Sequence, residues 1–230
     1  MGYLTERIQR IEHSIQQACE NSSRSRSEVE IVAVTKSVST ARANEVKEAG
    51  IIQLGENRAE ELLVKQEAIS DGVEWHFIGN LQSRKVRDII NEIDYLHSLD
   101  RMSIAKEIQK RALNEVKCFI QVNVSGESSK SGITPEELDD FVSSLKSYDK
   151  IKVVGLMTMA PHVEDEKVLR TVFKDMKTLR DRIMAQQLTH APCTELSMGM
   201  SNDFVIAVEE GATYVRIGTA LVGAESEGFN

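Results

Sequence analysis

The first β-branched run of the sequence ends in a lysine that could act as a nucleophile. The run Ile31–Lys36 reads IVAVTK, and strand alternation places Val32, Val34 and Lys36 on one face. An amine in such a position can form a Schiff base with a carbonyl compound. A solvated lysine at a strand end is the commoner explanation of this pattern, so Lys36 needs support from residues elsewhere in the chain.

Two segments near the C-terminus carry groups that suit a bound phosphate. In one, Ser201 and Asn202 stand where a helix is predicted to begin, and the helix dipole and unpaired N–H groups favour an anion there. Plain capping of the helix by either residue would also explain the pattern, and the two roles can coexist. In the other, Gly218 permits close approach of the backbone, and Thr219 offers an N–H and a hydroxyl. Together the two segments predict an anion site.

Arg216 and Asn57 add two further polar groups beside strand-like residues. Arg216 lies inside the apolar run that leads to Gly218, where a guanidinium is costly unless it has hydrogen-bond partners. Either a structural ion pair or a ligand would compensate its charge. Asn57 ends another run and could orient a ring substituent by hydrogen bonding, although alone it is weak evidence.

Short strand-like runs alternate with segments of helical spacing along the chain. The eight predicted strands are Ile31–Lys36, Gln53–Asn57, Trp75–Gly79, Tyr95–Leu99, Cys118–Val124, Val153–Met159, Thr194–Met198 and Tyr214–Val222. The predicted helices after them are Thr40–Ala49, Arg58–Ile69, Ser83–Ile93, Arg101–Glu115, Pro135–Ser147, Glu164–Gln187 and Asp203–Glu210. Such alternation favours a parallel sheet covered by helices, and eight units predict one closed (β/α)8 TIM barrel domain over residues 1–230. An open doubly wound sheet is the alternative, but no GxGxxG motif follows the first strand.

An additional helix, about Leu4–Glu20, precedes the first predicted strand. Because only Ala224–Asn230 follow the last one, we expect this N-terminal helix to cover the seam between the last and first strands. In a closed barrel, strands seven, eight, one and two form one arc, and phosphate sites after strands seven and eight recur in this fold. That arc holds both phosphate-type segments, the arginine, the lysine and the asparagine. A ligand with a phosphate at one end and an aldehyde near Lys36 fits, and pyridoxal 5′-phosphate (PLP) is such a ligand.

Six motifs, found in order, carry a resemblance to a known family. They are AVTK at 33–36, GEN at 55–57, HFIG with LQ at 76–82, GLMT at 155–158, LSMGMS at 196–201 and VRIG at 215–218. Over essentially its whole length the chain resembles the pyridoxal phosphate homeostasis proteins, the YggS/PROSC family. The resemblance implies a barrel of the alanine-racemase N-terminal type, with the cofactor on Lys36, Arg216 at the pyridine nitrogen, and the phosphate held after strands seven and eight. The predicted cofactor-binding residues are therefore Lys36, Asn57, Ser201, Arg216, Gly218 and Thr219.

The function that the resemblance implies is intracellular homeostasis of PLP, by storage, delivery or sensing, with little or no catalysis. A PLP-dependent amino-acid racemase and a Schiff-base aldolase without a cofactor are the alternatives. An arginine at the ring nitrogen stays protonated and donates, which leaves the ring a poorer electron sink. Alanine racemases take a catalytic tyrosine from a second domain, which we expect this chain to lack. None of its own tyrosines is well placed for that role; they are Tyr3, Tyr95, Tyr148 and Tyr214.

Composition narrows the remaining classes of function. The net charge of −8 argues against a general nucleic-acid surface, because binding a phosphate backbone needs a basic footprint. A small basic cluster at Arg84, Lys85 and Arg87 is best explained as a solvated helix face, with a second phosphate or a partner as the alternative. His76 either lines the pocket or packs in the core.

The lack of a recognisable targeting signal and the spacing of the cysteines predict a cytoplasmic protein. No signal peptide opens the chain, and no apolar run approaches the ~20 residues of a membrane span. Cys19, Cys118 and Cys193 lack CxxC spacing, which predicts reduced thiols in a cytoplasmic protein. We expect a monomer without a metal site, with PLP as its ligand and PLP-dependent apo-enzymes as candidate recipients.

Overall fold

Parallel strands close into a barrel whose order follows the chain, and the last strand pairs with the first. The computed structural model describes residues 3–69, 71–127 and 130–223. The strands are β1 Glu30–Val34, β2 Gln53–Glu56, β3 Glu74–Phe77, β4 Tyr95–Leu99, β5 Val116–Gln121, β6 Ile151–Met157, β7 Glu195–Ser197 and β8 Tyr214–Ile217. The predicted (β/α)8 barrel is confirmed, and the open doubly wound sheet is wrong.

Helices alternate with these strands, as the sequence predicts. They are α1 Tyr3–Asn21, α2 Thr40–Glu48, α3 Ala59–Ala68, α4 Val86–Ile89, α5 Met102–Arg111, α6 Leu138–Ser144, α7 Glu166–Met184, α8 Phe204–Glu209 and α9 Thr219–Val222. Short 3₁₀ turns cover Arg26–Glu28, Ser83–Lys85 and Leu145–Ser147. Within the part of the chain that the structure describes, no helix has the length and apolar character needed to cross a membrane.

The additional N-terminal helix is confirmed, and it packs against α8 and α9 on either side of β8. Arg7 of α1 donates from Nη1 to the Thr219 carbonyl oxygen at 2.8 Å. Arg24, just beyond α1, donates from Nη1 to the carbonyl oxygens of Val208 at 2.7 Å and Ala212 at 2.9 Å. Guanidinium groups at both ends of α1 therefore bind this helix to the last βα unit. The predicted terminal segment 224–230 lies outside the described residues.

Several predicted boundaries differ from the structure for local reasons. β8 ends at Ile217 rather than Val222, because the chain turns at Gly218, whose φ of −97° and ψ of −110° lie outside the strand and helix regions. The helix predicted from Pro135 begins at Leu138, because residues 135–137 form a turn. The Thr134 N–H donates to the Glu137 carboxylate at 2.8 Å within this turn.

The helix predicted over Ser83–Ile93 is a 3₁₀ turn followed by the single α-helical turn α4. One turn suffices there because it buries Val86 and Ile89 completely. The segments predicted as Arg101–Glu115 and Glu164–Gln187 are helical over the shorter ranges of α5 and α7.

Side chains fill the barrel interior. Val32, Tyr95, Phe119, Met157 and Tyr214 form one buried cluster, which extends from the first residues of β4 and β8 to the last residue of β6. Tyr95 and Tyr214 are the first residues of their strands, and their hydroxyl groups lie 3.4 Å apart. The two tyrosines therefore occupy the N-terminal end of the barrel. TIM barrels bind their ligands at the C-terminal end, so a site is expected there.

Candidate functional site

All six residues predicted to bind the cofactor line one cavity of about 450 Å³ at the C-terminal end of the barrel. They are Lys36, Asn57, Ser201, Arg216, Gly218 and Thr219. The closed topology produces this gathering, because β7, β8, β1 and β2 are consecutive neighbours around the barrel. Their role in binding PLP stays a prediction.

Lys36 lies in a turn two residues beyond the end of β1. Val34 pairs with Gly55 across β1 and β2, and Lys36 and Asn57 each follow two residues later, just beyond the ends of these neighbouring strands. The Lys36 side chain is exposed to the cavity, and it forms no hydrogen bond or ion pair with the residues that the structure describes. Its amine is therefore available to a ligand.

A buried ion pair fixes the backbone beneath Lys36. Lys65 of α3 donates from Nζ to the Glu56 carboxylate and to the Thr35 carbonyl oxygen, both at 2.7 Å. The Thr35 hydroxyl donates to the same Glu56 oxygen at 2.5 Å. The side chains of Glu56 and Lys65 are 0% and 6% exposed, and Thr35 is fully buried. We call these three residues the buried triad; through the Thr35 carbonyl it holds the turn that carries Lys36.

The buried triad was missed by sequence reasoning. Lys65 looks like any lysine of an amphipathic helix, because it lies seven residues into α3 with other charged residues around it. Glu56 offered the one available signal, since a carboxylate at the end of a buried strand needs a cationic or hydrogen-bonding partner.

Arg216 forms part of the cavity floor and is 5% exposed. Its Nη1 donates to Ser197 Oγ at 2.6 Å, and its Nη2 donates to the Thr158 carbonyl oxygen at 2.9 Å. Burial lowers the pKa of the guanidinium to about 10, while the Asp203 carboxylate acts in the opposite direction. Arg216 is thus still charged at neutral pH. Among the described residues it forms no salt bridge, so the structural ion pair considered as an alternative is not found.

Backbone N–H groups without hydrogen-bond acceptors line the part of the cavity wall that follows β7 and β8. The N–H groups of Ser201, Asn202, Gly218 and Thr219 have no acceptor among the residues described. Capping of α8 by Ser201 or Asn202 is wrong, because the N-cap position belongs to Asp203. The Asp203 carboxylate accepts the Met200 N–H at 2.6 Å, and burial raises its pKa. Four N–H groups without protein acceptors are suited to an anion.

Two glycines permit the turns that carry Asn57 and Ser201. A Cβ atom on Gly79 would lie 2.3 Å from the Asn57 carbonyl oxygen, so any side chain there would displace Asn57. Gly199 has a φ of +91°, and a Cβ atom would lie 2.6 Å from the Ala207 Cβ. Both positions therefore require glycine on steric grounds.

Two other candidates from the sequence lie outside the cavity. His76 is fully buried in the barrel interior, with its Nδ1 2.8 Å from His97 Nε2, so it is a core residue. The basic cluster of Arg84, Lys85 and Arg87 lines a separate depression around α4. Lys85 pairs with Glu60 and Asp88, and Arg87 pairs with Asp88. These ion pairs agree with a solvated helix face.

The cavity also has walls that the sequence did not predict, formed by Asn80, His162 and Asp203. No tyrosine of the described residues lines it. No cluster of His, Cys, Asp or Glu that could hold a metal ion occurs in the described parts of the chain. Chemically, the site offers an amine nucleophile, a guanidinium and a set of anion-binding N–H groups. It is suited to a small molecule that has both a carbonyl and a phosphate group.

Comparisons with known proteins agree on one group of relatives. The family model described as alanine racemase, N-terminal domain, matches residues 7–226. The pyridoxal phosphate homeostasis protein of Aquifex aeolicus is 42% identical over 222 residues, covering 95% of this chain and 96% of its own. PipY of Synechococcus elongatus, solved with PLP bound, has a TM-score of 0.80 and 31% identity over 91% of this chain and 100% of its own. An unknown protein from Bifidobacterium adolescentis has a TM-score of 0.90 and 33% identity over 95% and 94% of the two chains.

Proposed function

Because the chain belongs to the family of the pyridoxal phosphate homeostasis proteins, we propose that its cavity binds PLP and that the protein serves intracellular PLP homeostasis. One observation carries the proposal. The free amine of Lys36, the guanidinium of Arg216 and four unpaired N–H groups line the same cavity. Each of these groups has a counterpart in the cofactor, which bears an aldehyde, a pyridine nitrogen and a phosphate.

The polar groups of the cavity can be assigned to the phosphate, the aldehyde and the ring of the cofactor in turn. The phosphate would be held by charge-assisted hydrogen bonds. Its donors would be the N–H groups of Ser201, Gly218 and Thr219 and the hydroxyls of Ser201 and Thr219. Lys36 would attach to the aldehyde carbon through Nζ, with the aldehyde oxygen leaving as water, and the neighbouring Asn57 would orient a ring substituent. When bound, the cofactor supplies an electrophilic carbon and an electron-withdrawing ring.

Arg216 is proposed to keep that ring a weak electron sink. A guanidinium with a pKa of about 10 keeps its protons at neutral pH, so it can only donate a hydrogen bond to the ring nitrogen. A ring nitrogen that accepts from arginine is not protonated by it, and carbanion chemistry then receives less assistance. A weak electron sink supports a role in binding and releasing the cofactor rather than in catalysis with it.

The side chains lining the cavity also support weak catalysis or none. Racemisation needs proton donors on opposite faces of the substrate carbon. No tyrosine of the described residues lines the cavity, and the Asp203 carboxylate is held by the Met200 N–H, which leaves Lys36 and His162 as the cavity side chains that could exchange a proton. Storage or delivery of PLP to apo-enzymes is therefore the proposed role, carried out by a cytoplasmic monomer whose cysteines are free, buried thiols.

Covalent mapping of the cofactor tests the binding proposal. We expect borohydride reduction of the loaded protein to fix a phosphopyridoxyl group on the peptide that contains Lys36. Lys36→Ala should abolish this label, whereas Lys106→Ala, which removes an exposed lysine of α5, should leave it unchanged. A label confined to a lysine other than Lys36 would contradict the proposed attachment site.

Activity measurements test the proposed role. The loaded protein is incubated with L- and D-amino acids, and chirality and keto-acid formation are followed. Turnover of any amino acid at about 1 s⁻¹, the lower end of ordinary enzyme rates, would favour the racemase alternative instead. With no such turnover, transfer of PLP to a PLP-dependent apo-enzyme should restore the activity of that enzyme.

A further inference from the structure

A row of buried polar side chains crosses the barrel interior from Arg216 to the opposite wall. Arg216 of β8 contacts Ser197 of β7, whose Oγ lies 2.9 Å from His97 Nδ1 on β4. His97 Nε2 in turn lies 2.8 Å from His76 Nδ1 on β3. Ser197 and both histidines are 0% exposed. We call Arg216, Ser197, His97 and His76 the polar row; only Arg216 reaches the cavity.

The direction of every hydrogen bond in the polar row follows from its first member. A guanidinium can only donate, so Ser197 Oγ accepts from Arg216. Among the described residues, the one acceptor within reach of the Ser197 hydroxyl proton is His97 Nδ1. His97 Nδ1 is then unprotonated, and its Nε2–H donates to His76 Nδ1.

The two imidazoles are uncharged across the physiological range. Burial is the main cause that lowers both pKa values, that of His76 to about 3, and the nearby charges of Lys117 and Arg216 add to the effect. Each neutral ring carries one proton, and the chain of donors places it on Nε2 in both. The His76 Nε2–H has no partner among the described residues, so the row ends there.

We propose that His97 is a positioning residue for Arg216, an inference that rests on the cofactor binding proposed above. His97 accepts a hydrogen bond from the Ser197 hydroxyl, and this directs the lone pairs of Ser197 Oγ towards the guanidinium. Ser197 Oγ then holds Nη1 while the Thr158 carbonyl holds Nη2, so two fixed points determine the plane of the guanidinium. Its remaining N–H groups are thereby oriented before PLP arrives, which lowers the cost of binding.

Four variants separate positioning from general support of the core. His97→Leu removes the acceptor, Ser197→Ala removes the link, and His97→Asn keeps an acceptor oxygen near the place of Nδ1. His76→Phe is the matched control, because it alters the same buried row one bond further from Arg216 and leaves the bond between His97 and Ser197 in place. Each protein is titrated with PLP, and both the dissociation constant and the absorption band of bound PLP are recorded. Thermal unfolding is measured alongside.

We expect His97→Leu and Ser197→Ala to weaken PLP binding by about twofold to tenfold, the effect of one hydrogen bond, and to shift the absorption band. His97→Asn should restore most of the affinity. His76→Phe should leave affinity and band within about twofold of wild type, whatever its effect on stability. Nitrogen-15 NMR of the protein without ligand should show both rings in the Nε2–H form.

Three results would overturn the proposal: wild-type affinity and band in His97→Leu, equal losses in His97→Leu and His76→Phe, or an Nδ1–H form of His97. If His97→Leu does not fold, Ser197→Ala decides in its place, because it is the smaller change. Failure of the wild-type protein to bind PLP would instead refute the proposed function, and the NMR measurement would still test the direction of the polar row.

Discussion

Replacing Lys65 by methionine should destabilise the barrel and loosen the turn that carries Lys36. Lys65 Nζ contacts Glu56 and the Thr35 carbonyl at 2.7 Å, and the two side chains of the pair are 6% and 0% exposed. Methionine fills a similar volume but leaves the Glu56 carboxylate buried without its counter-charge. Breaking a buried pair in this way costs about 3–5 kcal/mol. In a chain of this size that corresponds to a fall in Tm of roughly 6–20 °C.

A double-mutant cycle gives the contribution of the pair itself. Urea unfolding, followed by circular dichroism, is measured for Lys65→Met, Glu56→Gln and the double variant. The double variant should lose less than the sum of the single losses, by about 1–3 kcal/mol, because it contains no unpaired charge. Lys85→Met is the matched control, since it breaks ion pairs that are largely exposed to solvent, and it should change stability little.

PLP affinity should fall in Lys65→Met and not in Lys85→Met, because only Lys65 holds the Thr35 carbonyl next to Lys36. If Lys65→Met lowers the free energy of unfolding by less than about 1 kcal/mol, the reasoning is refuted, because the buried Glu56 charge must then have found another partner or water. Strict additivity in the cycle would refute it as well.

Three more outcomes are expected. Ser201→Ala, measured by PLP titration, should weaken binding about tenfold to a hundredfold, because it removes a hydrogen bond to a charged phosphate. The pKa of His76 is about 3 in the fold against an ordinary 6.5, so its contribution to stability is present above pH 6.5 and is lost as pH falls towards 3. Acidification from pH 7 to pH 5 should thus cost wild type about 2 kcal/mol more than His76→Phe in urea unfolding. Cys19, Cys118 and Cys193 are buried, and burial raises the pKa of each, so a thiol reagent should modify them only after denaturation.

The sequence could predict the barrel because short strand-like runs alternate with segments of helical spacing along the chain. β4 was placed at its observed bounds, since the run Tyr95–Leu99 is followed directly by charged residues. The gathering of the predicted site residues in one cavity could be anticipated for a topological reason. Lys36, Asn57 and Arg216 lie at or near strand ends, and a closed parallel barrel brings those ends together.

Other features depend on partners that only the register of the barrel selects. Lys65 belongs to a helix that also carries the exposed Glu60 and Glu67, and nothing local indicates that Lys65 reaches under β1 to Glu56. His76 and His97 are 21 residues apart, and their contact requires that β3 and β4 be neighbours with both rings pointing inward. The end of β8 was misplaced because TALV, residues 219–222, has strand-like composition, while the turn at Gly218 makes it helical.

The contact between α1 and α9 has a consequence for how the protein folds. Arg7 and Thr219 are separated by 212 residues, so this contact closes a loop that spans nearly all of the described chain. Contacts of such long sequence separation slow folding, because loop-closure entropy is lost before they can contribute. Thr219 also lines the cavity. The ability to bind the ligand should therefore appear late in refolding, together with closure of the barrel, and a ligand present at that step would favour the closed form by mass action.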